Sequence, residues 1–344
     1  MSKHSFFNDY SEGAHPRLLE ILNKTNLNQE SGYCEDSLCL QATGLIQSAL
    51  HSPQAAVHFI SGGTQTNLIA LAAALKPFES VIAATSAHIH VHEAGAVEAT
   101  GHKINLVPTA DGKLTPAMVE EMVALHTDEH MVKPRLVFIS NASEIGTIYT
   151  KCELEQLSQT CRSLGLYLYL DGARLGSALV SPGSDLTLPD LAGLLDMFYI
   201  GGTKNGALLG EALVITHPAL QADFRYHLKQ RGALLAKGRL LGSQFLGLFQ
   251  GDLYFDLARH ANAMAQKLAG AFLALGCPFL APPATNQIFP ILPDSLIQSL
   301  QANYGFYVWT SIDTQHSAIR LVTSWATPDA KVDQFIADLN SSQA

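Results

Sequence analysis

Gly201-Gly-Thr-Lys-Asn-Gly206 is a run of small residues around a single lysine, Lys204, and it directly follows the apolar run Met197-Phe-Tyr-Ile200. The apolar run predicts a buried strand, and glycines let the backbone approach a bulky ligand closely. A lysine at the end of a buried strand is partly desolvated, which lowers its pKa and lets the neutral amine attack a carbonyl carbon. Lys204 therefore fits a Schiff-base lysine, although a surface lysine in a glycine-rich loop would show the same short pattern.

Two stretches upstream of Lys204 end predicted strands with groups that suit pyridoxal phosphate. The run Leu166-Tyr-Leu-Tyr-Leu170 leads into Asp171, and a strand-end aspartate can pair with the pyridinium nitrogen of this cofactor. The run Val57-His-Phe-Ile60 leads into a turn before a predicted helix, where free backbone N–H groups can bind a phosphate. The predicted phosphate contacts are Ser61, Gly62, Gly63 and Thr64.

The order and spacing of these motifs resemble those of fold-type-I pyridoxal-phosphate enzymes of the threonine aldolase and aromatic amino acid β-eliminating lyase family. The resemblance runs almost end to end, and further motifs carry it at residues 7–16, 33–36, 86–89, 171–174 and 319–323. It implies an α/β fold of the aminotransferase type with bound pyridoxal 5'-phosphate. It also implies a lyase that cleaves β-hydroxy-α-amino acids (L-threonine, L-allo-threonine or phenylserine) to glycine and an aldehyde.

The resemblance places two arginines near the reacting groups. Arg174 lies three residues after Asp171 and is expected either beside the cofactor and substrate or in a structural ion pair. Arg320 is a lone arginine in an apolar strand, where it needs a partner. Its guanidinium fork suits the two oxygens of an amino-acid carboxylate. Further substrate contacts are expected from Asn8, Ser11 and Tyr33, and further cofactor contacts from Arg231 and Arg239, unless the last two only solvate a helix.

Three alternating histidines, His88, His90 and His92, precede Glu93. On a strand this spacing would place them on one face, as a zinc site requires. No cysteine or second carboxylate cluster accompanies them, so we expect no metal. The resemblance instead assigns His88 to stacking on the cofactor ring, next to the substrate hydroxyl. His88 is thus the leading general base, and a bound water is the alternative. Glu93 either orients a neighbour or is a helix N-terminal charge.

The loop at residues 141–147 departs from the best-known threonine aldolases, which carry a Thr-His pair there. Ser143 stands where that histidine is expected. The loop looks more like the low-specificity and phenylserine aldolase branch. This difference leaves open the identity of the general base and the preferred aldehyde.

The composition excludes several classes of protein. The chain has 344 residues, 47% hydrophobic and 15% charged, which suits two domains with a sizeable core. Its net charge of −9 argues against a nucleic-acid partner. The five cysteines form no Cys-x-x-Cys pair, which indicates reduced thiols in the cytoplasm. We see no signal peptide and no apolar run long enough to span a bilayer.

The middle of the chain predicts a mainly parallel seven-stranded sheet with helices on both faces. Ligands bind such sheets at the carboxyl ends of strands. The predicted phosphate-binding turn at residues 61–64, Asp171 and Lys204 all lie there. Residues 1–250 are expected to form the large domain with an N-terminal arm, and residues 251–344 a small α+β domain. The predicted strands are 57–60, 80–84, 103–107, 135–140, 166–170, 197–200 and 212–215, and the helices between them 66–75, 93–100, 116–125 and 152–164.

Other functions remain open at this stage. The same scaffold supports β-elimination, racemisation and transamination, because only the surroundings of Cβ distinguish these reactions. A protein that binds a phosphate or nucleotide without catalysis is a further alternative. The resemblance implies a homodimer or homotetramer with shared sites, since residues 33–36 and 225–239 resemble segments that such enzymes contribute to the neighbouring site.

Overall fold

A computed structural model describes residues 3–341 of the chain. Its strands are β1 (His4–Ser5), β2 (Ala56–Ile60), β3 (Glu79–Ala84), β4 (Lys103–Val107), β5 (Lys133–Ser140), β6 (Tyr167–Asp171), β7 (Met197–Gly201), β8 (Glu211–Ile215), β9 (Gln287–Ile288), β10 (Ile291–Pro293), β11 (Tyr304–Gly305), β12 (Tyr307–Ser311) and β13 (His316–Val322). Its α-helices are α1 (Pro16–Thr25), α2 (Ser37–Ala49), α3 (Gly63–Ala74), α4 (His88–Val91), α5 (Pro116–Ala124), α6 (Lys151–Ser163), α7 (Leu175–Leu179), α8 (Leu188–Leu194), α9 (Pro218–Gln221), α10 (Phe224–Gln230), α11 (Arg239–Phe249), α12 (Leu253–Ala274), α13 (Asp294–Gln301) and α14 (Asp329–Ser341).

The large sheet has seven strands in the order β2-β8-β7-β6-β5-β3-β4. β8 runs antiparallel to both of its neighbours, and the other pairs are parallel. Every residue of β3, β7 and β8 is buried, as expected for strands covered by helices on both faces. The predicted mainly parallel sheet is confirmed, and each strand begins and ends within two residues of its prediction.

Side-chain caps explain where two of the connecting helices begin. Thr150 and Glu153 form a reciprocal capping box at the start of α6. Thr115 accepts a hydrogen bond from the Met118 amide at the start of α5, where Pro116 is the first helical residue. Such caps satisfy N–H groups that have no partner within the helix. They fix the ends of the crossovers and therefore the positions of the loops at the sheet edge.

The segment after β3 differs from the prediction. A continuous helix over 93–100 is wrong, because α4 ends at Val91 and only a 3₁₀ turn follows, at Glu98–Thr100. Ala94 and Gly95, with φ of 51° and 72°, lie in the left-handed region and prevent a continuous helix. The three histidines of this segment consequently lie on or next to one helical turn and not on a strand.

The C-terminal part forms a second layer around an antiparallel sheet. β13 pairs with β9, β10 and β12, and a core that includes Phe272, Ile319 and Phe335 packs between this sheet and its helices. The N-terminal arm joins the same core, because β1 pairs with β11 and Phe6 is buried there. The predicted α+β architecture is confirmed. No helix among residues 3–341 is long and apolar enough to cross a membrane.

Candidate active site

A cavity of about 720 Å³ opens between the carboxyl ends of the large sheet and strands β12 and β13. This volume lies within the range of small-molecule sites. Because the carboxyl ends of β2, β6 and β7 meet at one edge, residues far apart in the sequence converge there. The predicted residues that line the cavity are Ser61, Gly62, Gly63, Thr64, His88, Asp171, Arg174, Lys204 and Arg320.

Asp171 is buried at the end of β6, and three donors fix its orientation. Its Oδ1 accepts hydrogen bonds from the Tyr199 hydroxyl at 2.5 Å and the Ala173 amide at 3.0 Å. Its Oδ2 accepts a hydrogen bond from Asn67 Nδ2 at 2.9 Å. The adjoining strands are close here, since a Cβ on Gly172 would lie 1.8 Å from the Tyr199 carbonyl oxygen. The sequence analysis found Asp171 but none of its partners.

The first turn of α3 faces the same cavity. Gly62 is the N-cap and offers no side chain to the N–H groups of this turn. A Cβ on Gly62 would meet no atom within 4 Å, so the backbone is open to a ligand. Ser61 Oγ donates to Gln65 Oε1 at 2.7 Å, which orders the turn. Free N–H groups at a helix N-terminus carry partial positive charge, and the turn can therefore bind a phosphate.

Lys204 lies in a turn that a buried glutamate holds. Glu211 Oε2 accepts a hydrogen bond from the Gly202 amide at 2.9 Å, and Oε1 accepts one from Thr203 Oγ1 at 2.8 Å. Burial, followed by the charge of Arg174, lowers the pKa of Lys204, as predicted for an amine that reacts in its neutral form. Burial also raises the pKa of Glu211 to about 7. An acidic residue at the start of an apolar strand was the available signal for Glu211.

The two arginines of the cavity differ in their partners. Arg174 donates to both carboxylate oxygens of buried Asp9, at 2.7 and 3.1 Å, so it forms an ion pair while it lines the cavity. Arg320 donates only to the neutral Gln287 Oε1, at 3.1 and 2.6 Å, and lies 5.4 Å from the ring centroid of Trp309. Among residues 3–341 no carboxylate pairs with Arg320. Burial and then the charge of Arg174 lower its pKa to about 10, although the charges of Asp9 and Glu144 act in the opposite direction.

His88 is oriented by a buried carboxylate. Its Nδ1 lies 2.8 Å from Glu93 Oε1, which also accepts a hydrogen bond from Asn67 Nδ2 at 2.7 Å. Asn67 thus connects Glu93 with Asp171. Burial alone would lower the pKa of His88, but the hydrogen bond to Glu93 and the nearby carboxylates outweigh it, so this pKa is raised. The imidazole is held in one orientation against the cavity.

The three histidines do not converge as metal ligands. His92, four residues after His88, also lines the cavity, with the two ring centroids 5.3 Å apart. His90 is exposed and does not line it. Within the described residues no group of three or more histidine, cysteine, aspartate and glutamate side chains is arranged to hold a metal ion.

Two predicted substrate contacts lie in the N-terminal arm and do not line the cavity. Asn8 Oδ1 accepts hydrogen bonds from the Ser11 hydroxyl and the Tyr10 amide, both at 3.0 Å. This turn instead presents Tyr10 to the cavity. Within the protomer, the polar side chains of Asn8 and Ser11 therefore form hydrogen bonds inside their own loop.

The other distant predictions lie together on one surface, also outside the cavity of their own protomer. Lys229 Nζ lies 4.6 Å from the ring centroid of Tyr33. Arg239 donates to the backbone carbonyls of residues 26 and 28, at 2.9 and 2.6 Å. Arg231 has a buried Nε without a hydrogen-bond partner among the described residues. Residues 33–36 and 225–239, separate in sequence, are therefore neighbours in space.

Several residues that line the cavity were not predicted to do so. Some come from the arm, from the loop after β5 and from the C-terminal sheet, and only the fold brings these to Lys204. The missed lining residues are Tyr10, His92, Glu144, Ala173, Tyr199, Thr203, Glu211, Tyr307, Val308 and Trp309.

Comparison with known proteins agrees with this geometry. The β-eliminating lyase family model matches residues 24–294. A low-specificity L-threonine aldolase of Pseudomonas aeruginosa is 34% identical over 97% of this chain and 96% of its own length. The structure of a threonine aldolase of Leishmania major is 50% identical, covers 99% of this chain and 100% of its own, and superposes with a TM-score of 0.98.

A more distant structure shares the fold alone. An aspartate aminotransferase of Thermus thermophilus superposes with a TM-score of 0.73 at 13% identity, over 98% of this chain and 91% of its own. The predicted aminotransferase-type fold is therefore confirmed.

Proposed function

Because this chain belongs to the β-eliminating lyase family, we propose that the cavity around Lys204 is the active site of a threonine aldolase. The chain is a pyridoxal-phosphate-dependent aldehyde-lyase that cleaves β-hydroxy-α-amino acids to glycine and an aldehyde. One observation supports this site most strongly: Lys204, Asp171 and Arg320, which has no acidic partner among residues 3–341, face the same cavity.

The residues present fit pyridoxal phosphate. The first turn of α3 has uncapped N–H groups and open space at Gly62 for a phosphate. A buried carboxylate, Asp171, and an amine of lowered pKa, Lys204, suit its ring nitrogen and its carbonyl. We propose that Ser61, Gly62, Gly63 and Thr64 hold the phosphate and that His88 packs on the ring. When bound, this cofactor supplies an electron sink for the bond broken at Cα.

The chain's own residues bind and orient the substrate. We propose that Arg320 pairs with the carboxylate, since its fork has no acidic partner among residues 3–341. Gln287 and Trp309 hold that fork from two sides. Arg174, fixed by Asp9, adds positive charge next to it. A carboxylate held at this point determines which bond at Cα is exposed to cleavage.

Aldehyde release tests the proposed function. Purified protein is incubated in parallel with L-threonine, L-allo-threonine and L-phenylserine, and the aldehyde and glycine are quantified. We expect both products in equal amounts, and we expect Lys204→Ala to abolish them together with the long-wavelength absorbance of the loaded protein. Lys133→Ala, at an exposed strand position, serves as the control. A racemised substrate or a 2-oxo acid that keeps all carbons of the substrate, as the main product, would contradict the aldolase assignment.

We further propose that the enzyme is a homodimer or homotetramer with shared sites. The surface formed by residues 33–36 and 225–239 supports this proposal. It carries the predicted cofactor contacts Arg231 and Arg239 and the predicted substrate contact Tyr33, none of which line the cavity of their own protomer. A second protomer would bring such residues to the neighbouring site.

Two further predictions stay proposals. The five cysteines are all free, which supports a cytoplasmic location. The separate core of the C-terminal layer supports a division into domains 1–250 and 251–344, with the arm packed across it. Cell fractionation tests the location. Limited proteolysis, with cleavage expected near Gly251, tests the division.

A further inference from the structure

Ser143, which stands where the best-known threonine aldolases carry a histidine, forms its hydrogen bonds within its own turn. Ser143 is buried, its Oγ lies 2.6 Å from Thr147 Oγ1, and its amide donates to the Thr147 carbonyl at 2.9 Å. Thr147 Oγ1 in turn donates to the Asp111 carbonyl at 2.7 Å. The Ser143 hydroxyl is therefore part of its own turn and does not line the main cavity.

The next residue, Glu144, does line the main cavity, together with His88, His92 and Arg320. Its side chain is half-buried, and no hydrogen bond or ion pair within residues 3–341 holds its carboxylate. Its negative charge acts on His88 and His92 and on three cations of the cavity, Arg174, Lys204 and Arg320. A carboxylate that is partly desolvated and has no structural partner is available to a ligand.

The turn that carries Glu144 is fixed relative to the substrate-binding arginine. Gly146 closes the turn through its amide, which donates to the Ser143 carbonyl at 3.0 Å. Gly146 has a φ of 80°, and a Cβ there would lie 2.9 Å from the Gln287 carbonyl oxygen. The side chain of Gln287 holds the Arg320 fork. The Glu144 turn therefore packs closely against the backbone of Gln287, whose side chain holds Arg320.

His88 already has a fixed partner on one ring nitrogen. Its Nδ1 is bonded to the buried Glu93, which holds the imidazole in one orientation against the cavity. The carboxylate of Glu144 has no such partner among residues 3–341. The packing and hydrogen bonding of His88 fit a role in holding the ligand.

We propose that Glu144 is the catalytic base that accepts the β-hydroxyl proton of the substrate, an assignment that rests on the proposed function. The O–H proton moves to the carboxylate, and the O–H electron pair becomes the second bond of the aldehyde carbonyl. The Cα–Cβ bond breaks, and its electron pair stays with Cα. One proton then returns to Cα, which gives glycine and closes the proton balance.

The test separates two reactions of the same loaded enzyme. Aldehyde release needs a base at the β-hydroxyl, whereas exchange of the glycine α-hydrogen in D₂O, followed by NMR, involves no β-hydroxyl. We expect Glu144→Gln and Glu144→Ala to lower kcat for aldehyde release from phenylserine about 100-fold or more. Glycine exchange, cofactor absorbance and Tm should stay close to wild type. Glu120→Gln, an exposed carboxylate on α5, is the matched control.

Three outcomes would overturn the assignment. Aldehyde release within about threefold of wild type would show that another group takes the proton. A parallel fall in aldehyde release and glycine exchange would place Glu144 in cofactor or carboxylate binding. Loss of absorbance or of Tm in both variants would make its role structural. Failure of the wild-type enzyme to release aldehyde would instead contradict the proposed function, so the two failures are distinguishable.

Discussion

At the scale of single residues, the site depends on charged groups whose partners differ in kind. Arg174 has a buried carboxylate partner in Asp9, whereas Arg320 has a neutral amide and an aromatic ring. The sequence alone left both arginines with alternative roles. The structure separates them, because a guanidinium already paired with a carboxylate is less available to a second one.

Replacing Arg320 by lysine tests its role. The ammonium group keeps the charge but loses the planar fork, so Arg320→Lys should raise the KM for the amino acid at least about tenfold, or about 1.4 kcal/mol. Cofactor absorbance should not change. Arg259→Lys, in an exposed ion pair on α12, is the control. Steady-state kinetics with an unchanged KM would show that Arg320 is structural.

Glu211 gives the protein a predictable pH dependence of stability. Burial raises its pKa from 4.5 to about 7, so the unfolded chain loses this proton at a lower pH than the folded chain. The folded state is therefore favoured most below about pH 4.5, and this contribution, about 3 kcal/mol at most, is lost as the pH rises to about 7.

Glu211→Gln should remove this dependence, because an amide does not ionise. In the cofactor-free protein, the free energy of unfolding of the variant relative to wild type should improve by up to about 3 kcal/mol between pH 4.5 and 7.5. Urea unfolding at both pH values measures it. A relative stability that does not change with pH would contradict the raised pKa.

At the scale of elements, the close approach between the end of β6 and the neighbouring parallel strand β7 determines where Asp171 lies. Gly172 has no room for a Cβ, since that atom would lie 1.8 Å from the Tyr199 carbonyl oxygen. Tyr199 also donates its hydroxyl to Asp171. The close strand contact and the orientation of the carboxylate therefore depend on the same glycine.

Gly172→Ala should destabilise the protein by at least about 3 kcal/mol, because the clash involves backbone and not a flexible side chain. Gly193→Ala is the matched control, since Gly193 is exposed in α8 and a Cβ there meets nothing within 4 Å. The control should be stabilised by about 0.4 to 1 kcal/mol. Equal free energies of unfolding for the two variants, measured in urea, would contradict this prediction.

For the whole molecule, mixed oligomers of two variants test the proposed shared site. Arg231→Ala and Lys204→Ala are each expected to be inactive, the first because it removes a cofactor contact supplied in trans. Mixing the two should restore activity in hybrid dimers that hold one intact site. Sedimentation gives the oligomeric state, and subunit exchange is followed with labelled protomers. Exchange without recovered activity would count against a site shared through Arg231.

Local patterns along the chain were enough to predict the large sheet and the groups that follow its strands. Runs such as Met197–Gly201 are apolar throughout and end at glycine or aspartate, so a local pattern marks both the strand and the site residue after it. Parallel strands bring their carboxyl ends to one edge. This topological rule was enough to group Lys204, Asp171 and the α3 turn. The local pattern was misleading at 93–100. There the composition favours a helix, but Ala94 and Gly95 adopt left-handed backbone angles that interrupt it.

Which distant side chains meet at that edge became visible in the folded chain alone. Asp9 reaches Arg174 across 165 residues, and Gln287 reaches Arg320 from a neighbouring antiparallel strand. Glu144 faces the cavity while adjacent Ser143 turns into its own loop. Such outcomes depend on packing and on the direction of each side chain in a turn. Spacing along the chain carries no information about either.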